Sequence, residues 1–440
     1  EVLLDLCDAD LVRAHRERAL TPDHPVVRGT AHNPDTYFQA REAVNGYYSA
    51  TPGIVQQMMD RFAEKTGRQY HLVEYEGHAE ADRVIVAMGS ATDTVREAVR
   101  WLARERNERV GLLEIRLFRP FPKDEFLAAM PASVKKVAVL DRSKEPGSTG
   151  EALYLDVLAT FVESDRAMPR IVGGRYGLSS KELTPAMVVG VFDELAQTKP
   201  RNHFSLGIVD DVTHQSLDYD GHLEIEPPGV TRAVFWGLGS DGTVSASKST
   251  VKIIGEQTEL QAQGYFVYDS KKSGAVTISH LRFGPEVVLA PYLVQSASFV
   301  GCHQWSFVDR YDMLDHAADG AVVLLNAPMP SSDVFDALPL EFQQQVIDKH
   351  IELWAIDAYA VAREVGMSGR INTIMQSCFF AISKLLPRDE AIEHIKTSIK
   401  KNYGKRGKAV IDMNNAAVDA AVGQLHRIAI PAAPTSDRTR

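Results

Sequence analysis

The chain has 440 residues, 45% hydrophobic and 24% charged, which excludes a disordered or fibrous polypeptide and predicts two to four domains at about 150 residues each. Lysine and arginine number 48 against 58 acidic residues, a formal net charge of −10. That balance excludes a general nucleic-acid coat, since phosphate binding needs a cationic excess, but leaves local basic pockets open.

The three cysteines, Cys7, Cys302 and Cys378, form no CxxC pair. They exclude a disulfide scaffold and any cysteine-ligated iron–sulfur cluster held by this chain alone, and they suit reduced thiols in a cytoplasm. No apolar run approaches the roughly 18 residues that span a bilayer, and no signal-peptide pattern is present, so no membrane partner is expected. The sequence enters helix-like residues at Glu1, which reads as a piece of a longer polypeptide.

In chain order, residues 1–32 predict a helical stretch ending in the turn-rich Thr21-Pro-Asp-His-Pro. An Asn33-Pro turn follows, then a break at Thr51-Pro-Gly before a helix through Met59. From about residue 80 the period changes. Arg83-Val-Ile-Val-Ala-Met reads as a buried strand, Ser90 to Leu102 as an amphipathic helix, and Val110-Gly-Leu-Leu-Glu-Ile and Lys136-Val-Ala-Val-Leu-Asp as further strands. Such alternation predicts a doubly wound, mostly parallel sheet ending near residue 200. A second α/β unit opens at Thr231 with a strand, a Gly-rich turn and a helix to about Gly255. Strands over 264–269 and 320–326 and a mainly helical 340–425 complete it; 431–440 reads as a frayed tail or linker.

The most informative stretch is Gly237-Leu-Gly-Ser-Asp-Gly-Thr-Val-Ser-Ala-Ser-Lys248. Glycines after a strand let backbone approach a ligand, and the helix that follows offers unpaired N–H groups to a phosphate. Ser240 and Thr243 add hydroxyls and Lys248 a charge. Gly237, Gly239 and Gly242 fit a loose G-x-G-x-x-G, which is either a ligand site or only a tight turn. Lys271 and Lys272, flanked by Ser270 and Ser273, follow the second strand, where a nucleotide fold reads its ligand's ribose. They are either phosphate-directed or a solvated pair. Cys302-His303 sits on a strand whose side chains alternate in direction, so it is no nucleophile pair, and a buried structural role is expected. Asn372 either caps the helix it begins or offers its amide to a ligand. The segment from Asp141 to Glu151 is either an anion site or an inter-domain loop. No catalytic residue and no metal ligand is identified.

Several long phrases occur in one order: Gly29-Thr-Ala-His-Asn-Pro-Asp-Thr-Tyr-Phe-Gln-Ala-Arg-Glu, Leu117-Phe-Arg-Pro-Phe-Pro, Leu140-Asp-Arg-Ser-Lys-Glu-Pro-Gly-Ser, Gly174-Arg-Tyr-Gly-Leu-Ser-Ser-Lys-Glu, Gly237-Leu-Gly-Ser-Asp-Gly-Thr-Val, Tyr268-Asp-Ser-Lys-Lys-Ser-Gly-Ala-Val-Thr, Gly301-Cys-His-Gln and Arg370-Ile-Asn-Thr-Ile-Met-Gln. Together they resemble the pyruvate:ferredoxin (flavodoxin) oxidoreductases, the 2-oxoacid oxidoreductase family, across nearly the whole chain.

The resemblance implies five parts. Residues 1–54 are the tail of a pyrimidine-binding domain with a connector, 55–210 a transketolase C-terminal-like domain, 211–230 a linker, 231–430 a Rossmann-like gamma-type domain that binds coenzyme A, and 431–440 a tail. Both main domains would be doubly wound α/β folds. The family reaction is oxidative decarboxylation of pyruvate on thiamine diphosphate, giving acetyl-CoA and CO2, with electrons passing through 4Fe-4S clusters to ferredoxin or flavodoxin. The Gly-Asp-Gly signature for thiamine diphosphate and Mg2+ is absent here, as are the cluster cysteines, so the chain alone is not expected to catalyse the reaction. Ser245 and Ser247 stand where the family pattern has Gly and Asn.

By position, Gly239, Ser240, Asp241, Gly242, Thr243 and Val244 would wrap the pyrophosphate or adenosine end of coenzyme A. Lys271 and Lys272, beside Ser273, would meet its 3′-phosphate, Lys248 would add charge, and Asn372 would hydrogen-bond the ligand. The family's habit implies a cytoplasmic homodimer. One alternative is a non-catalytic CoA- or nucleotide-binding subunit or module of a split oxidoreductase. Another is an NAD-linked enzyme reading a ribose with Asp269, against which the adjacent lysines argue.

Overall fold

The computed structural model describes residues 2–25, 31–227, 229–268, 275–367, 371–404 and 407–440. They form two compact units, Glu1–Ile225 and Glu226–Arg440.

The first unit opens with helices α1 (Val2–Leu6), α2 (Ala9–Glu17), α3 (Tyr37–Glu42) and α4 (Asn45–Thr66). Then come β1 (Val73–Gly77), β2 (Arg83–Met88), α5 (Ala91–Glu105), β3 (Val110–Ile115), α6 (Lys123–Ala129), β4 (Lys136–Asp141), α7 (Ala152–Val162), β5 (Arg170–Arg175), α8 (Pro185–Ala196) and β6 (Phe204–Ser205). The sheet order is β1-β3-β2-β4-β5-β6; only β1 runs antiparallel to its neighbour. Central strands of such a sheet are covered on both faces, which is why β2 and β3 read as continuous apolar runs. Ala91, Val95, Ala98, Val99 and Leu102 recur at helical spacing along α5 and pack with α8 on one face. Phe126 of α6 and Leu153, Val157 and Phe161 of α7 fill the other.

Two local expectations change. Helix α4 runs unbroken through Thr51-Pro-Gly, with Pro52 in its interior. Proline deletes one backbone donor there, but α4 has no buried residue, so water can serve the freed carbonyl. The segment from Asp141 to Glu151 lies inside the first unit, joining β4 to α7, and is not an inter-domain loop. The Asp141 carboxylate accepts from the amides of Leu153 (3.0 Å) and Tyr154 (3.1 Å) and so closes the start of α7. Leu217 and Ile225 add to the first unit's core.

The second unit comprises β7 (Thr231–Leu238), α9 (Thr243–Gln257), β8 (Gln261–Tyr268), β9 (Val276–Gly284), β10 (Ala297–Cys302), β11 (Ala317–Asn326), α10 (Leu340–Asp348), β12 (Glu352–Ile356), α11 (Ala358–Glu364), α12 (Asn372–Ser383), α13 (Arg388–Tyr403), α14 (Lys408–Gly423) and β13 (His426–Arg427). The sheet order is β13-β12-β11-β10-β7-β9-β8. Strands β12, β11, β10 and β7 form a parallel core, covered on both faces by separate apolar clusters. The predicted class of two mostly parallel α/β sheets is borne out. Beyond that expectation, β9 lies antiparallel between β7 and β8.

Arg282 of β9 is 1% exposed, and every donor group it buries is answered. It pairs with Glu226 at 2.9 Å and donates to Gln263 Oε1 and to the carbonyls of Tyr292 and Leu293. The last residues are docked, not frayed. The buried Gln343 of α10 accepts from the Thr435 and Ser436 amides at 2.7 and 3.1 Å, and Arg438 pairs with Asp309. A polar sequence can be held this way because its partners are hydrogen-bonding groups at the start of α10. Among the described residues no helix is long and apolar enough to cross a membrane.

Candidate functional site: the turn between β7 and α9

Strand β7 ends at Gly237-Leu238, and the chain reverses into α9 within four residues. Asp241 ties the reversal together. Its carboxylate accepts from the amides of Leu238 (2.7 Å) and Thr243 (2.8 Å), while its own amide donates to the Leu238 carbonyl (3.1 Å). Gly242 takes φ +93°, a region that suits glycine. Ser240 takes φ +75°, a strained setting for a residue with a side chain.

The remaining donors decide what the turn can hold. The Gly239 amide donates to the Ala275 carbonyl at 2.8 Å, and the Ala246 amide to the Gly242 carbonyl. The amides of Ser240, Gly242, Val244 and Ser245 have no acceptor among the described residues. Unpaired amides at the start of a 15-residue helix, with the positive end of its dipole, suit an anionic group. The turn also lies at the carboxyl ends of parallel strands β7 and β10, where open α/β sheets hold their ligands.

The expected site residues divide. Asp241 faces inward as the turn's lock, and its carboxylate takes the Thr243 amide. The Thr243 hydroxyl is fully buried and shares a 2.8 Å hydrogen bond with His303 Nδ1, so it is turned away from the surface. Ser247 is also buried, whereas Ser240 and Ser245 are exposed. Lys248 is exposed and holds its ammonium 5.3 Å over the Phe266 ring of β8.

Asn372 is brought to the turn from 130 residues away. It is the first residue of α12 and makes no capping bond; the cap position belongs to Ile371. A Cβ at Gly242 would lie 3.1 Å from Asn372 Cγ, so the turn and the Asn372 side chain are in tight contact that any larger residue would crowd. The Asn372 amide bonds nothing among the described residues, and it borders a cleft of about 260 Å³ with Ser245, Ser249, Thr373 and Gln376. Lys271, Lys272 and Ser273 lie outside the described residues. Of the described residues nearest them in sequence, Ala275 reaches the turn through its carbonyl, which accepts from the Gly239 amide, while Tyr268 pairs with Thr277 on edge strand β8.

His303 is the residue that sequence reasoning left out of the site. Burial drives its imidazole down to about 4, so the ring is neutral near pH 7. Its neighbour Cys302 points to the opposite core, and burial pushes that thiol up to about 12, which fits an inert side chain. Nothing in the sequence links His303 to a turn 60 positions earlier.

Two compact units of mixed, largely parallel sheets, one with an anion-suited turn at its strand ends, define an α/β protein. Comparison with known proteins narrows that class. The family described as pyruvate ferredoxin/flavodoxin oxidoreductase matches residues 232–424, and pyruvate:ferredoxin oxidoreductase core domain II matches residues 81–185. The pyruvate-flavodoxin oxidoreductase of Trichormus variabilis is 55% identical over 421 residues, covering 95% of this chain and 35% of that protein. The pyruvate:ferredoxin oxidoreductase of Moorella thermoacetica is 51% identical over 432 residues, covering 98% of this chain and 37% of that protein. Among solved structures, a pyruvate oxidoreductase subunit from Thermotoga maritima overlaps 45% of this chain and 98% of that one at 18% identity and a TM-score of 0.37, too slight a likeness to argue from. The chain belongs to the pyruvate ferredoxin/flavodoxin oxidoreductase family and spans a little over a third of the length of these relatives.

Proposed function

We propose that this chain is the coenzyme-A-binding and scaffold segment of an enzyme that oxidatively decarboxylates pyruvate to acetyl-CoA and CO2, passing electrons to ferredoxin or flavodoxin. The single observation that carries the reading is the convergence of unpaired amides at the start of α9 with the Asn372 amide across Gly242. A phosphate of coenzyme A sits on the Ser240, Gly242, Val244 and Ser245 amides. Asn372 bonds the ligand, and Lys271 and Lys272, with Ser273, meet the 3′-phosphate. Asp241 and Thr243 serve this site by shaping the turn.

The other cofactors do not fit the residues present. Among the described residues no group of three or more His, Cys, Asp or Glu side chains could hold a metal ion, and three cysteines are too few for a cluster that needs four thiolates. Thiamine diphosphate, Mg2+ and the 4Fe-4S clusters therefore belong to lengths of the enzyme outside this chain. The domain division 1–54, 55–210, 211–230, 231–430 and 431–440, a cytoplasmic location and a homodimeric assembly complete the proposal. A second reading, a CoA-binding module of a split enzyme, is separated from the first by the mass of the native protein.

Titration calorimetry tests the site. Coenzyme A is expected to bind and NAD not to. Lys271→Ala/Lys272→Ala should weaken coenzyme A more than tenfold, since a charge-assisted phosphate contact is worth roughly 1.5–3 kcal/mol, and should reduce the salt dependence. Equal affinity in the double variant removes the lysines from the site.

A further inference from the structure

Helix α9 starts without a side-chain cap, because its cap position is Gly242. The Asp241 carboxylate holds the amide of the helix's first residue, Thr243, and the side chain of that residue is held in the core. Thr243 settles directly onto β7: a Cβ at Gly237 would fall 2.2 Å from the Thr243 hydroxyl oxygen. There that hydroxyl meets His303 Nδ1 at 2.8 Å. The backbone of His303 is anchored on both sides and its ring is packed against an aromatic neighbour. The His303 amide donates to the Trp236 carbonyl (2.9 Å), its carbonyl accepts from Asn326 Nδ2 (3.0 Å), and the Phe235 ring meets it edge-on at 6.3 Å. Asn326 in turn accepts from the Ala358 amide at 3.0 Å. A chain of buried hydrogen bonds thus runs from β7, through the ends of β10 and β11, to the start of α11, and reaches α9 through Thr243. Buried networks with every member paired fix geometry more firmly than exposed ones.

We propose that His303 is a positioning residue for the ligand at this turn: through Thr243 it fixes the direction in which α9 presents the Val244 and Ser245 amides. The inference rests on the reading that a phosphorylated ligand meets those amides. The imidazole is neutral, so it acts by orientation and adds no attraction. Its removal should weaken binding without altering the salt dependence, in contrast to the lysine pair.

The test uses the 440-residue chain and two readouts: calorimetry with coenzyme A, and hydrogen exchange over residues 243–247 in the ligand-free protein. His303→Leu is expected to lower affinity about tenfold, the scale of one lost buried hydrogen bond, at an unchanged salt slope. His303→Asn, whose carboxamide reaches close to the Nδ1 position, should restore most of it. Thr243→Val should match His303→Leu, and the double variant should be no worse than either single one. Exchange over 243–247 should rise about tenfold in both single variants and return with His303→Asn. Wild-type protection in His303→Leu overturns the proposal, and so do additive losses that His303→Asn fails to rescue, which mark general destabilisation. If the wild-type chain takes up no coenzyme A, the functional reading falls and the exchange arm alone decides the role of His303. If His303→Leu does not fold, Thr243→Val carries both arms.

Discussion

Two strand-to-helix turns, one in each unit, are built around an aspartate and end in opposite states. At the β4–α7 turn the aspartate is the last residue of the strand and stands twelve positions before the first amide it captures. A long loop lets the Asp141 carboxylate sit under the helix and take both Leu153 and Tyr154. It is 3% exposed, and burial raises its carboxyl above the usual range. At the β7–α9 turn Asp241 stands two positions before Thr243. A side chain that close reaches only the first helical amide and spends its other oxygen on Leu238. The amides of Val244 and Ser245 are left over. The same residue type closes one helix start to anions and leaves the other open; loop length makes the difference.

The largest expected effect separates the units by pH. His280 and His303, both in the second unit, are pushed by burial to about 4 from an unfolded value of 6.5. Between those values the unfolded chain binds protons that the folded chain does not. Their stability contribution is therefore whole above about pH 6.5 and is lost as pH falls toward 4. Between pH 7 and pH 5 the loss should be about 2 kcal/mol for each imidazole. Denaturant midpoints followed by tryptophan fluorescence, with Trp236, Trp305 and Trp354 in the second unit, read it. A flat response over that interval would falsify the buried-neutral assignment.

Next, Asp141→Ala should destabilise the first unit by about 2–3 kcal/mol, because two buried amides lose their acceptor, while coenzyme A affinity stays unchanged. A change in affinity would break the claim that this helix start is closed. Gly242→Val should cost about 1–3 kcal/mol through its left-handed backbone and push against Asn372, taking coenzyme A binding below calorimetric detection. Retained binding would remove the Gly242–Asn372 junction from the site. The smallest expected effect is the sharpest for the comparison. Asp241→Asn keeps an acceptor but removes a negative charge beside the open amides. Stability should fall by about 1 kcal/mol and coenzyme A should bind a few-fold tighter. Weaker binding would mean that the carboxylate serves the ligand directly.

The fold was legible where burial and composition agree. The runs in β2, β3 and β4 are apolar because both faces of a parallel strand are covered. Strand β9 was not legible, since Thr277, Ser279, His280 and Arg282 interrupt its apolar residues and yet all are buried. Arg282 leans on partners such as Glu226 and Tyr292, which no local pattern reveals. At the site, the Gly-rich turn and Asn372 were each visible, but not their contact, which depends on how α12 lies against α9. The inward turn of Thr243 was hidden for a similar reason: it exists only because Gly237, six positions earlier, makes room for it.

The buried Arg282 has a consequence for dissecting the molecule. Its guanidinium has Glu226 as carboxylate partner, and Glu226 lies five positions before β7 begins. An excised second unit that starts at Thr231 would strand a cation in an apolar interior, a defect on the order of 3–5 kcal/mol. The stretch ahead of β7 thus acts as the opening stitch of the second unit, and a viable cut falls upstream of it.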